Sequence, residues 1–187
     1  MSKLAVSLLA GFYISFAAFS VRVKQNVAQA EAYDSFRSGL PFGSPPPDFE
    51  LADLEGELVT LEKQVDASEL VLINFWATWC GPCRLEIPML TELDERYREQ
   101  GLRILAVNVE EDASVVAAFV RDRDVSFPVL LDPEGAITKR YRVEALPTTI
   151  LVDGEGDVID VTEGLDPYLG YRIEMHLQSD DSEADER

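Results

Sequence analysis

The chain has 187 residues, 47% of them apolar and 9% aromatic, enough for one sizeable core plus an appendage. Acidic residues outnumber basic ones 35 to 16, for a net charge of −19. A surface this acidic repels phosphate backbones and anionic headgroups, which argues against a nucleic-acid partner and against adsorption to a lipid face.

The charge is unevenly spread. All 35 acidic residues and 13 of the 16 basic ones follow residue 30, leaving residues 31–187 at −22 and the first thirty at +3. Leu4 to Val21, "LAVSLLAGFYISFAAFSV", carries no charge. As a helix it would span roughly 27 Å, close to the ~30 Å hydrocarbon core of a bilayer. Residues 1–30 therefore read as a signal peptide or an uncleaved membrane anchor, an apolar helix outside the folded domain. "AQAEA" offers a small-x-small cleavage site after Ala30, but Arg22 and Lys24 separate it from the apolar run, which weighs toward retention. Either reading implies export. No cysteine lies nearby, so a cysteine-linked lipid is excluded.

Residues 31–47, "EAYDSFRSGLPFGSPPP", read as a linker that ends in a stiff extended spacer. The folded domain is expected over residues 48–178. "DFELADLEGELVTL" predicts a hairpin turning at Glu55–Gly56. "LVLINFW" and "LRILAVNV" are near-continuous apolar runs, suited to strands covered on both faces. Between them residues 82–100 predict a helix, with Leu85, Met89, Leu90, Leu93 and Tyr97 at helical spacing, a kink at Pro88 and a stop at Gly101. A second helix is expected over Ala113–Arg123 with Asp112 as N-cap. "FPVLLD" and "TTILVD" predict strands, and "DGEG" at 153–156 turns the chain into an antiparallel partner, "DVIDVTEG". A closing helix is expected over Pro167–Leu177. Residues 179–187, "SDDSEADER", read as a disordered acidic tail. The order predicts an α/β domain, a mixed β-sheet with helices on both faces.

The only cysteines are Cys80 and Cys83, separated by Gly81 and Pro82. Zinc would need about four ligands, and the sole histidine, His176, lies far along the chain, so no metal is expected. A purely structural disulfide closing so short a loop would restrain little chain entropy. The spacing supports a redox pair, which carries two electrons itself and needs no cofactor. Cys80 falls at the strand-to-helix junction, where unpaired N–H groups and the helix dipole favour thiolate over thiol. It would attack a substrate disulfide, and Cys83, one turn further in and more buried, would then attack Cys80 and release reduced substrate. Pro82 suits the first helical turn, where its missing donor costs nothing.

"NFWATWCGPC" followed by "ALPTT" resembles the thioredoxin superfamily. The wider pattern is similar to the exported, membrane-tethered TlpA/ResA/CcmG group. It comprises the apolar N-terminal segment, "PPDFELADLEGELVTL", "VLINFWATWCGPCRLEIP", "GLRILAVNV", "FPVLLDPEG" and "YRVEALPTTILVDGEG", over about residues 45–165. The resemblance implies a thioredoxin-like fold in which Pro147 is a cis-proline facing the cysteines and the Leu146 backbone pairs with an extended substrate segment. It implies Trp79 beside the thiols and Trp76 behind them. Asn74 stands where thioredoxin has a buried acid, and Asn cannot take a proton. Glu86 occupies the place of a glutamate implicated in handling the buried thiol's proton. Glu110, Glu111 and Asp112 either border a substrate groove or cap the helix that follows.

What the resemblance implies about function is an extracytoplasmic thiol–disulfide oxidoreductase acting as a reductase. Its substrates would be oxidised protein thiols, with apocytochrome c the leading example, and its electrons would come from a membrane thiol protein of the CcdA/DsbD type. The competing readings are a thiol oxidase or isomerase, a thiol peroxidase, and a non-enzymatic tethered copper carrier or holdase.

Overall fold

A computed structural model describes residues 40–184, with side chains to residue 178. The apolar segment and its cleavage site, residues 31–39 and residues 185–187 lie outside the described residues.

The run Leu70–Trp76 forms strand β3, buried at every position. It pairs in parallel with β4 (Leu102–Val109) and antiparallel with β6 (Thr148–Asp153). Beyond these lie β5 (Val129–Asp132), parallel to β4, and β7 (Val158–Glu163), antiparallel to β6. The five-stranded order is β5-β4-β3-β6-β7, the expected mixed sheet. The expected hairpin is β1 (Glu50–Ala52) and β2 (Leu58–Thr60), bridged to the sheet through Asp53 and Leu130. Both predicted turns close on an aspartate. Asp53 Oδ1 accepts from the Glu55 and Glu57 amides, and Asp153 Oδ1 accepts from those of Glu155 and Asp157.

Side chains of β3 alternate between two cores, as a period of two requires. Leu70, Leu72 and Trp76 join Ile87 and Leu90 of helix α2 (Gly81–Tyr97), Val116 and Phe119 of α3 (Ala113–Arg121), and Leu169 and Ile173 of α5 (Leu169–Ala184). Val71, Ile73 and Phe75 join Leu40, Phe49, Leu61, Ile137 and Tyr141 on the other face. Asn74 shares its parity with Leu72 and Trp76, so it points toward α2. That helix runs through Pro88 without ending and passes into a 3-10 turn at Arg98–Gln100. Gly101 then reverses the chain with φ +95°, and a Cβ there would lie 2.5 Å from Glu69 Cγ.

Two short helices escaped the sequence pattern, α1 (Leu61–Val65) and α4 (Ala136–Arg140), both too brief to show a helical period. Helix α4 is held by Asp132, whose carboxylate accepts from the amides of Ala136, Ile137 and Thr138 and from the Thr138 hydroxyl. Asp112 does precede α3, but its side chain makes no cap; its carbonyl accepts from the amides of Val115 and Val116. Helix α5 continues to Ala184 rather than stopping at Leu177. Residues 179–184 include no Gly or Pro to end it, so the composition that suggested disorder supplies no stop signal.

The linker is also shorter than expected, because residues 40–47 are docked. Leu40 is buried. The Gly43 amide donates to the Val158 carbonyl at 2.9 Å, and the Val158 amide donates to the Ser44 carbonyl at 3.0 Å. The prolines lack N–H donors, yet their carbonyls still accept: the Tyr141 hydroxyl donates to Pro47 O at 2.6 Å. Burial pushes the Tyr141 phenol well above its ordinary value, so it remains a donor at any ordinary pH. Tyr141→Phe is therefore expected to lower unfolding stability by about 1 kcal/mol, read as a reduced urea midpoint at unchanged m-value.

Candidate active site

Strand β3 ends at Trp76, and four residues later Cys80 occupies the N-cap of α2 with extended backbone. Cys80 and Cys83 are joined as a disulfide, with their Cα atoms 5.3 Å apart. The Cys83 amide donates to Cys80 Sγ at 3.2 Å, so the sulfur takes the place of a capping oxygen. Pro82 lies in the first helical turn, as expected. Cys80 retains 4% exposure and Cys83 none, so a reagent from solvent meets Cys80 first. Among the described residues no group of three or more His, Cys, Asp or Glu is arranged to hold a metal ion.

Behind the disulfide lies a buried carboxyl. Glu86 stands one turn after Cys83 on α2, and its side chain is excluded from solvent. Glu86 Oε2 accepts from Asn74 Nδ2 at 2.8 Å, and the same nitrogen donates to Thr149 Oγ1 at 2.9 Å. Thr149 faces Asn74 across the β3–β6 ladder. Among the described residues, nothing donates to Glu86 Oε1. Burial raises the Glu86 pKa from 4.5 to about 7; the Asn74 hydrogen bond opposes the rise and the negative charge of Asp166 adds to it. The carboxyl can therefore gain or lose a proton near neutrality.

A second carboxylate braces the loop ahead of Cys80. Glu111 Oε2 accepts from the Thr78 amide and from Asn108 Nδ2, each at 2.7 Å, and the Thr78 hydroxyl donates to Glu111 Oε1. Of the three acids that follow β4, Glu111 makes no cap of α3. It ties the end of β4 to the end of β3. Sequence spacing gave no signal of this, since 33 positions separate the partners. Glu110 instead turns through φ +56° and reaches toward Lys139.

The Leu146–Pro147 peptide is cis. Thr148 pairs with Phe75, so Pro147 lies level with the end of β3, from which the chain runs on to Cys80. Pro147 O accepts from the Gly164 amide at 2.7 Å, while Leu146 is half-buried against both cores. Trp76 is fully buried in the core that also holds both cysteines and packs on Phe119, their ring centroids 5.1 Å apart. Trp79, directly before Cys80 in the chain, is 70% exposed. Gly81 is also exposed, and no atom lies within 4 Å of a Cβ built there. His176 is half-buried on α5.

The Glu86 environment has a thermodynamic signature. Below pH 4.5 the carboxyl is protonated in both the folded and unfolded chain and imposes no penalty. Between 4.5 and about 7 it ionises only when the chain unfolds, so stability falls as pH rises through this window. Glu86→Gln removes that slope. The stability of the variant relative to the parent is expected to rise by about 3 kcal/mol from pH 4.5 to pH 7.5, measured by urea unfolding at each pH.

Residues 42–161 match the family model described as AhpC/TSA family. A thiol-disulfide oxidoreductase ResA of Bacillus cereus is 38% identical over 134 residues, covering 72% of this chain and 76% of its own length. The ResA of Bacillus subtilis is 39% identical over 132 residues, covering 68% and 70%. Among solved structures, a Chlorobium tepidum protein assigned as thiol:disulfide interchange protein DsbE superposes with a TM-score of 0.68 at 30% identity, over 75% of this chain and 97% of that one. With the paired cysteines seated at the start of α2, this likeness extends from fold to chemistry. The chain belongs to the AhpC/TSA family of thioredoxin-like proteins and is an enzyme, a thiol–disulfide oxidoreductase acting on protein thiols.

Proposed function

We propose that the protein is an extracytoplasmic reductase of protein disulfides, held by its N-terminal segment and serving steps such as preparation of apocytochrome c for haem attachment. The observation that carries this reading is the pairing of a disulfide at a helix N-cap with a buried carboxyl that titrates near neutrality. In the reduced enzyme, the Cys80 thiolate attacks one sulfur of the substrate disulfide. The substrate S–S bond breaks, a mixed disulfide forms, and the departing sulfur takes a proton from solvent. Glu86, as carboxylate, accepts the Cys83 proton, and the Cys83 thiolate attacks Cys80. The second substrate sulfur leaves as a thiolate and takes a proton from solvent, to which Glu86 in turn returns the proton of Cys83. The substrate gains two electrons and two protons, and the enzyme is left with the Cys80–Cys83 bond.

The other residues support these steps. Asn74 holds the Glu86 carboxyl in place. The cis-Pro147 turn presents the Leu146 backbone for pairing with an extended substrate segment, and Trp79, Gly81 and Pro82 form the exposed approach to Cys80. No further cofactor enters, because the dithiol carries both electrons. Regeneration needs a donor of the same chemistry, a membrane thiol protein of the CcdA/DsbD type. The apolar run Leu4–Val21 supports export and tethering. Among the described residues no helix is long and apolar enough to cross a membrane.

The direction of electron flow is tested by equilibrating the couple with defined thiol–disulfide buffers at pH 7. A potential at or below roughly −230 mV is expected, as for a donor of the thioredoxin kind, whereas roughly −150 mV or higher would make the protein an oxidant or isomerase. The role of Glu86 is read from the pH dependence of substrate reduction. The rate is expected to climb as pH passes about 7, where Glu86 becomes a carboxylate. Glu86→Gln is expected to lose that limb.

A further inference from the structure

Beside the disulfide, Gly81 and Pro82 form one wall of an open cleft of about 750 Å³. Arg84 and Leu85 of α2, Arg123 just beyond α3 and Leu165 ahead of α5 complete it. Its apolar part is well presented, with Leu85 65% and Leu165 40% exposed. Its charged part runs against the character of the domain, which is strongly acidic. Two other arginines are neutralised within the domain: Arg98 pairs with Asp94, and Arg172 with Asp160 and Asp166. Among the described residues no carboxylate lies within ion-pair distance of Arg84 or Arg123. Arg123 is also steadied in place, its guanidinium carbon 3.7 Å from the centroid of the Phe119 ring.

We propose that this cleft receives the stretch of substrate protein flanking its reacting cysteine, a segment that is apolar against Pro82, Leu85 and Leu165 and bears a carboxylate recognised by Arg84 and Arg123. The proposal rests on the reductase reading above and adds a substrate class to it. Unpartnered guanidiniums beside apolar surface suit a peptide carboxylate, which they can bind in a forked geometry without first breaking an internal ion pair. Arg123 is already oriented by its ring contact, so less side-chain freedom is lost on binding. In a domain whose net charge repels acidic partners, such a local cationic site sorts substrates by the charge beside the cysteine.

The test uses the reduced full chain and two synthetic peptides, each closed by an intramolecular disulfide. One has Leu and Glu beside a cysteine, and the other has Lys in place of Glu. Long-range attraction to the acidic domain would favour the Lys peptide, so the expected order is the opposite of what net charge alone gives. The Glu peptide is expected to be reduced about fivefold faster or more at low salt, with the ratio shrinking toward one as salt is added. The ratio is expected to invert in the Arg84→Glu, Arg123→Glu double variant and to survive largely in the Arg84→Lys, Arg123→Lys variant. Since the readout is a ratio within each protein, a general change in activity cancels. A wild-type enzyme that reduces both peptides equally, or the Lys peptide faster, overturns the proposal and leaves the reductase reading standing. So does a Glu preference that persists in the charge-reversed variant. A reduced chain that reduces neither peptide, nor the uncharged hydroxyethyl disulfide, overturns the reductase reading and the proposal with it.

Discussion

Strand β3 is covered on both faces and hydrogen-bonded along both edges, and the site inherits its precision from that confinement. With period two, a shift of one residue would exchange every side chain between the cores. Trp76 would leave the face it shares with Phe119, and Asn74 would no longer reach Glu86. The apolar side chains that fix the register, Val71, Ile73 and Phe75 on one side and Leu70, Leu72 and Trp76 on the other, thus set the distance between Asn74 and the carboxyl of α2. The chain leaves this clamped strand and reaches Cys80 through only Ala77, Thr78 and Trp79. Two carboxylates flank that route, Glu111 bracing the loop from β4 and Glu86 lying beneath the helix.

These two acids live in opposed electrical surroundings. Glu111 is surrounded by donors, an amide, a hydroxyl and a carboxamide, and those three partners are what make it a good brace. Glu86 has one donor, is shut off from solvent and feels the negative charge of Asp166, so its pKa rises to about 7. Two side chains of the same chemistry thereby take different parts, Glu111 as a brace and Glu86 as a carrier of an exchangeable proton. A further donor on Glu86 Oε1 would stabilise the carboxylate and lower its pKa, away from the range where proton exchange is useful.

Much of the domain was legible in its sequence because its signals are local. The apolar runs of β3 and β4 and the spacing of Leu85, Met89, Leu90, Leu93 and Tyr97 announce their elements, and the two-residue spacing of the cysteines announces the redox pair. The cis state of Pro147 was accessible only through family resemblance, since no local feature of "ALPTT" demands it. What remained hidden depends on contacts between distant residues. Glu111 reads as a cap until the end of β3 is brought beside it. The prolines at 45–47 suggest a free spacer by composition, yet their neighbours bond to Val158 and Pro47 to Tyr141, partners more than ninety positions away. Asn74 and Glu86 were each noticed from the sequence, while the hydrogen bond joining them followed from sheet parity.

The sheet also separates two kinds of interior. Cys80, Cys83 and Trp76 belong to the core on the α2 face, where Asn74 meets Glu86 and the cleft opens at the surface. The opposite core, built on Leu40, Phe49, Leu61, Ile137 and Tyr141, contains none of these groups. Substitutions there act through packing and through the Tyr141–Pro47 hydrogen bond, and they approach the active site at Leu146, which packs against both cores. Away from Leu146, that half of the interior is free to drift between lineages, or to be rebuilt for heat resistance, while the redox couple keeps its surroundings.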